Sequence, residues 1–332
     1  MTHALALVRS EHPPASPVVL VEDAYTALVD RLSRASVKKH FDAYRDVPWD
    51  EPASRIDPED PRWTLSPEDP LGSTEYYRGL TEPERARLGL ATTSFQMKMG
   101  IAFESVLQRG LLELAGTLPN GSPEYRYAYH EVIEEGQHSL MFQEFVNRSG
   151  FDAPGMSPYM AWAARRVPPL GRKFPELFFL HVLGGEAPID HVQRLELRRG
   201  DSVHPLKRRI MQIHVTEEAR HVCFAERYLE RHVPELSAFS MLELRVVAPF
   251  VVQQTARLML SPPPAFFART GLPRSAAREA FGGPAYRKLL SDGTRPIREL
   301  CVRLGIVTPA FVPVWRALGV WAPEGTEYAL PS

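Results

Sequence analysis

Apolar residues recur at intervals of three and four through several long stretches, the spacing of one face of an α-helix, and no useful length alternates with period two. The first stretch, LGLATTSFQMKMGIAFESVLQRGLLELAG, follows Thr81 and Glu84, the pair that builds a capping box. A second opens with Ser122, Pro123 and Glu124: a cap residue, a proline in the first turn, and an acid near the positive end of the helix dipole. It closes at Gly150. A third helix is expected over about 174–199, ended by Gly200, and a fourth over about 205–232, stopped by Pro234. A fifth, about 236–260, carries Pro249, which predicts a kink.

Proline sets the boundaries around these stretches. Residues 1–20 read as a flexible arm and 21–35 as a first helix. The segment VPWDEPASRIDPEDPRWTLSPEDPLG (47–72) holds too many Pro and Asp for a long helix. It makes 21–80 an irregular N-terminal wrap, anchored by Trp49 and Trp63. A proline-rich connection covers 151–172, and 261–332 reads as short helices and loops. Helices of this length run roughly 35 to 40 Å at 1.5 Å per residue, the proportions of a four-helix bundle with one long crossover. The expectation is an all-α single domain, 1–332, with the bundle in 81–260.

Composition removes several function classes. With 39 basic against 40 acidic residues, no global field attracts nucleic acid or an anionic membrane. The most apolar stretch, VVAPFVVQQTARLML, is broken by Pro249, two glutamines and Arg257, so no membrane span is expected. Cys223 and Cys301 lie far apart and suit neither a disulfide framework nor a metal clip; with no export signal at the N-terminus, a cytoplasmic protein is expected.

Candidate chemistry gathers on the helices. In HVTEEARH, His214, Glu218 and His221 share one helical stripe, with Glu217 displaced from it. Glu135 and His138 in EVIEEGQHSLMF repeat the Glu-x-x-His spacing on a stripe that continues into Phe142 and Phe145. With 28 glutamates and 11 histidines in 332 positions, chance supplies about one such pair, so the spacing alone decides little. Placement decides more. Each pair is preceded, one helix earlier, by a glutamate among apolar residues: Glu104 in GIAFESVL and Glu186 in HVLGGEAPID. Burying such a carboxylate is costly unless it is paired or bound to metal. The order Glu, Glu-x-x-His, Glu, Glu-x-x-His over four helices is that of ferritin-like di-iron and di-manganese carboxylate proteins. Carboxylates bridge and neutralise two close cations while imidazole binds iron without adding charge, so two iron ions are expected, with manganese as the alternative. The plainer reading is a solvated face on which Glu135 and Glu218 pair with arginines such as Arg220.

His214 adds a further donor one turn before Glu218. Here the sequence resembles the p-aminobenzoate N-oxygenase (AurF-type) family of di-iron oxygenases, whose last ligand helix carries His-x-x-x-Glu-x-x-His, matched in full by HVTEEARH. The resemblance covers roughly 80–260 and, more faintly, DGTRPIREL (292–300). It implies that Glu104, Glu135, His138, Glu186, His214, Glu218 and His221 are the ligands. By the same resemblance Glu135 and Glu218 would bridge, with His214, Glu186 and His221 on one iron. It further implies a monooxygenase that uses O2 through a peroxo-diferric intermediate, most commonly for N-oxygenation of an arylamine-type small organic substrate. An external electron donor, a reductase or ferredoxin, would be needed, and a homodimer is carried from the family. Carbon hydroxylation or desaturation by the same cluster, a ferroxidase or storage role, and a metal-free helical scaffold are the competing readings.

The expected substrate pocket comprises Gln96, Met99, Gly185, Asp190 and Arg295. Gly184 and Gly185 beside Glu186 provide either space near the metals or close helix packing. Asp190 could hold a substrate amine or salt-bridge to an arginine, and Arg295 and Arg298 could meet an anionic group or lie in surface ion pairs. The family prototype binds its substrate carboxylate through a tyrosine and an arginine upstream of the first ligand. This chain has Gln96 and Met99 at those offsets from Glu104, which argues for a less anionic substrate than p-aminobenzoate, and Met97, Met99 and Ile101 suggest a more apolar one unless that stripe is core.

Overall fold

The computed structural model describes residues 23–321, and among these it contains helices and turns but no strand. The expected arm over 1–20 and residues 322–332 lie outside the described part. After α1 (Ala24–Lys38), two single 3-10 turns and α2 (Glu75–Gly79) lead into α3 (Glu82–Ala115) and α4 (Pro123–Ser149). The crossover carries α5 (Pro158–Ala164) and α6 (Leu170–Lys173), and then come α7 (Pro175–Leu197), α8 (Pro205–His232) and α9 (Ala238–Leu260). Five short helices follow: α10 (Pro264–Thr270), α11 (Arg274–Gly282), α12 (Pro284–Gly293), α13 (Arg295–Arg303) and α14 (Val312–Ala317). This is the all-α, ferritin-like arrangement: α3 packs along α4 and α7 along α8, with the long crossover between the pairs.

The local signals account for most boundaries. Glu84 accepts from the Thr81 N–H at 2.8 Å, closing the N-terminus of α3. Gly150 takes the left-handed conformation (φ 67°) that stops α4. Two features differ from expectation, while the fifth helix keeps its expected extent. At 34 residues α3 is about 51 Å long, well beyond its neighbours, because nothing from Pro83 to Ala115 breaks it. The crossover is not bare loop, since the prolines at 158 and 169 sit in the first turn or the cap of two short helices. Helix α9 is continuous across Pro249, held by Leu244, Ala248, Val252 and Ala256, a fully buried i, i+4 stripe against the core.

The segment 47–72 wraps the bundle and is anchored by its tryptophans. Trp63 is 1% exposed, donates its indole N–H to the Asp57 carbonyl at 2.9 Å, and stacks on His204 with ring centroids 4.0 Å apart. Trp49 donates to the Ala43 carbonyl at 2.6 Å. Against the opposite side of the bundle, α7 comes close enough to α3 and α9 that a Cβ on Gly185 would lie 2.1 Å from the Phe103 ring, and one on Gly184 would lie 2.5 Å from Thr255 Oγ1. These two glycines therefore serve close helix packing, since a Cβ at either would meet a neighbouring side chain and not open space.

Candidate metal centre

The bundle brings all seven expected donors to one buried locus. Glu104 comes from α3, Glu135 and His138 from α4, Glu186 from α7, and His214, Glu218 and His221 from α8; none is more than 2% exposed. Glu135 and Glu218 lie at the centre. His138 Nδ1 is 2.9 Å from Glu135 Oε2 and 3.4 Å from Glu218 Oε1, while His221 Nδ1 is 3.0 Å from Glu135 Oε1 and 3.1 Å from Glu218 Oε1. His214 Nε2 faces Glu104 and Glu218 at 3.6 and 3.7 Å. Overlapping triads drawn from these residues hold their ligand atoms within 4.8 Å of one another, for example Glu104, His138 and His214, or Glu186, His214 and Glu218.

Behind the ring nitrogens sits a layer that periodicity within one helix does not reveal. His138 Nε2 is 3.0 Å from Glu217 Oε2 on α8, and His221 Nε2 is 2.7 Å from Glu134 Oε2 on α4, so each histidine is held by a carboxylate from the other's helix. Arg220 ties the two supports together, its guanidinium 2.8 Å from Glu134 and 3.6 Å from Glu217. The Ser36 hydroxyl accepts from Arg220 Nε at 3.1 Å, and the Phe41 N–H donates to Glu217 at 3.1 Å, which draws α1 and the following turn onto the site. With Nε2 engaged on both histidines, Nδ1 is left to face the centre, the carboxylate–histidine–metal pattern that fixes ring orientation and basicity. Arg220 thus partners Glu134 and not the central Glu135 or Glu218. The doubled glutamates of EEGQH and EEARH were the sequence signal for this layer.

The electrostatics call for cations. Seven buried glutamates, at 104, 131, 134, 135, 186, 217 and 218, form the site and its supports, and Arg220 pairs with two of them, Glu134 and Glu217. Unit charges 4 Å apart interact by about 4 kcal/mol even at an effective dielectric of 20, so this cluster cannot remain fully ionised without positive charge. Unless an ion balances them, the local fields favour protonation of several donors. Burial, reinforced by the fields of Glu135, Glu186 and Glu218, pushes the Glu104 carboxyl well above the usual range, and burial with Glu218 and Glu135 does the same to Glu186. Burial would depress His138, but hydrogen bonds to Glu135 and Glu217 and the charges of Glu135 and Glu218 carry it up to about 10. His214 goes the other way, to about 4, chiefly through burial, and so is held as the neutral imidazole a ligand must be. Burial pushes Glu131 up to about 8.

Unpartnered atoms give the fit test. Glu104 Oε2, Glu186 Oε1 and Glu218 Oε2 are buried with no hydrogen-bond partner, and Glu135 Oε1 meets only His221 Nδ1, at 3.0 Å. Orphaned oxygens on three converging carboxylates are costly unless an ion satisfies them, so the residue set, with its three imidazoles, suits two divalent cations of the iron or manganese type.

Beside Glu104, Glu186 and His214 lies an inner cavity of about 30 Å³, room for a water molecule or dioxygen. Gln96, Val192 and Met259 line it and also line an outer cleft of about 460 Å³ between the 66–71 turn and the ends of α7 and α9. No lysine or arginine lines the inner cavity; its neutral polar groups are Gln96 and Gln193, whose Oε1 is buried and unpartnered. Of the other expected pocket residues, Met99 packs with Phe95 and Phe266 in an apolar cluster, because it lies about 140° round the helix from Glu104 while Met97 lies within about 20°. Asp190 is bonded to Arg194 Nε at 2.6 Å, and Arg295 is exposed at the start of α13. Arg298 is 1% exposed and donates to the carbonyls of Ser291 and Val320.

No described helix is long and apolar enough to cross a membrane. Among curated proteins, the chain is 39% identical over 299 residues to Uncharacterized protein Rv0885 of Mycobacterium tuberculosis and to Uncharacterized protein Mb0909 of Mycobacterium bovis, a span covering 90% of this chain and 88% of theirs. No solved structure matches it. The model of the family P-aminobenzoate N-oxygenase AurF matches residues 22–305, which include every donor of the centre, and the chain belongs to that family of di-iron oxygenases.

Proposed function

We propose that the protein binds two iron ions through Glu104, Glu135, His138, Glu186, His214, Glu218 and His221 and inserts one oxygen atom from O2 into a small, largely apolar amine at nitrogen. The observation that carries this reading is the convergence of those donors, with orphaned oxygens among them, beside a small cavity that shares Gln96, Val192 and Met259 with a substrate-sized cleft. When bound, the iron pair supplies two-electron activation of O2. For a primary amine the balance is RNH2 + O2 + 2 e− + 2 H+ giving RNHOH + H2O, the electrons coming from an external ferredoxin or flavoprotein-type reductase.

The chain's own residues do the rest. Glu134 and Glu217 orient the two histidines from behind. Met97, Phe142, Ile189, Met211 and Met259 keep bulk water from the inner cavity, and the Gln193 carbonyl is placed to accept from an amine N–H. The lack of a lysine or arginine there disfavours a substrate carrying a carboxylate next to the reacting nitrogen. The test is turnover of a panel of arylamines under 18O2 with a chemical reductant, read by mass spectrometry alongside metal analysis. One labelled oxygen on nitrogen, two irons per chain and preference for neutral amines over aminobenzoates are expected. Oxygen found only on carbon, or iron oxidation without any amine turnover, would remove the N-oxygenase reading.

A further inference from the structure

The geometry points to Glu131 as an eighth protein donor of the dinuclear centre, a carboxylate for the ion held by Glu135 and His221; this rests on the dinuclear reading above. Glu131 lies one turn before Glu135 on α4, on the stripe that continues through His138 and Phe142. It is 0% exposed, and one of its oxygens falls within 4.8 Å of the ligand atoms of Glu135 and His221. Neither carboxylate oxygen has a hydrogen-bond partner.

That last fact separates two kinds of buried glutamate. The supports have both oxygens engaged: Glu134 with Arg220 and His221, and Glu217 with Phe41 N–H and His138. The donors Glu104, Glu186 and Glu218 each leave an oxygen orphaned, and Glu131 leaves two. Tyr127, one turn earlier on α4, also has its hydroxyl buried without a partner, so the phenol is not satisfying Glu131. Arg220 is committed to Glu134. A cation is therefore the partner the site supplies to Glu131. Glu131 does not line the inner cavity, so this carboxylate leaves the substrate side of the centre open. It also makes the two ions unequal, adding an anionic donor to the one shared with His221.

Cobalt(II) titration of the full-length metal-free protein tests this, with chelator competition for affinity, visible absorption for coordination, and thermal melting of the metal-free form for folding. Wild type is expected to bind two ions. Glu131→Gln should bind one of them at least about tenfold more weakly with an altered spectrum, while its metal-free form melts no lower than wild type, since the change removes a buried ionisable group. Tyr127→Phe should leave affinity within twofold; a loss matching that of Glu131→Gln would assign Glu131 to a hydrogen bond with the phenol and overturn the proposal. Two ions bound by Glu131→Gln with wild-type affinity and spectrum would also overturn it. Should that variant fail to fold, Glu131→Asp, which withdraws the carboxylate by one methylene, carries the same tenfold expectation and the same refutation. Wild type binding fewer than two ions would instead defeat the dinuclear reading itself.

Discussion

Replacing Glu134 by glutamine isolates the support behind His221. The side chain keeps its shape and an oxygen acceptor, so the 2.7 Å contact to His221 Nε2 can persist, but its charge is gone. A buried hydrogen bond to a charged partner contributes about 1.5 to 3 kcal/mol and a neutral one about 0.5 to 1.5, a difference of roughly 1 to 1.5 kcal/mol. At about 1.4 kcal/mol per factor of ten, that predicts metal affinity five- to tenfold weaker for the ion bearing His221. The change has a second effect: Arg220 loses its 2.8 Å carboxylate and keeps Ser36 at 3.1 Å and Glu217 at 3.6 Å, which lowers the stability of the metal-free protein. Chelator-competition titration of cobalt(II) reads the first effect and calorimetry of the metal-free form reads the second. An affinity within twofold of wild type, with a folded variant, would refute the claim that the rear carboxylate tunes the imidazole. Glu217→Gln should show the same on the His138 side, and because Arg220 is shared the double variant should lose less than the sum of the two.

Other outcomes follow from the same geometry. Chelation should lower the melting temperature: each ion present at a hundred times its dissociation constant adds roughly 2.7 kcal/mol, and coincident melts with and without chelator would contradict a buried di-metal site. Val192→Phe adds bulk at a side chain that lines both the inner cavity and the outer cleft, so KM for the amine should rise several-fold with metal content unchanged; unchanged kinetics would place the substrate route elsewhere. His204, stacked on Trp63, is held down to about 4, first by burial, against about 6.5 in the unfolded chain. Its folded-state value being the lower one, the unfolded chain binds more protons between those values, and stability falls as pH drops from 6.5 toward 4. Melting of wild type and His204→Gln across that window checks it, the variant showing the shallower pH dependence.

The sequence exposed what periodicity within one helix can carry. Glu135 with His138, and His214 with Glu218 and His221, share faces at spacings of three, four and seven, and Glu104 and Glu186 stood out as charges in apolar company. The crossed supports could not be read that way. Glu134 and Glu217 lie one residue off the donor stripes, and they matter only because α4 and α8 are close enough for each to reach the other's histidine. Glu131 was on the right stripe but outside the Glu-x-x-His spacing. Matching by offset put Met99 at the pocket, whereas the helical angle from Glu104 selects Met97. The crossover helices form around prolines that local signals treat as breaks, with Pro158 in a first turn and Pro169 at a cap.

The absence of side chains at Gly184 and Gly185 has a bearing on how substrate range can be altered. With Phe103 and Thr255 already against the backbone there, the gap between these rods is a fixed dimension, and even an alanine would wedge it apart. Room for a bulkier molecule must be carved from the opposite wall, where Met97, Met211 and Met259 offer unbranched, pliable thioethers that can be trimmed without moving a helix axis. Divergence in specificity among relatives should accordingly be written at those three positions while the glycine pair stays put.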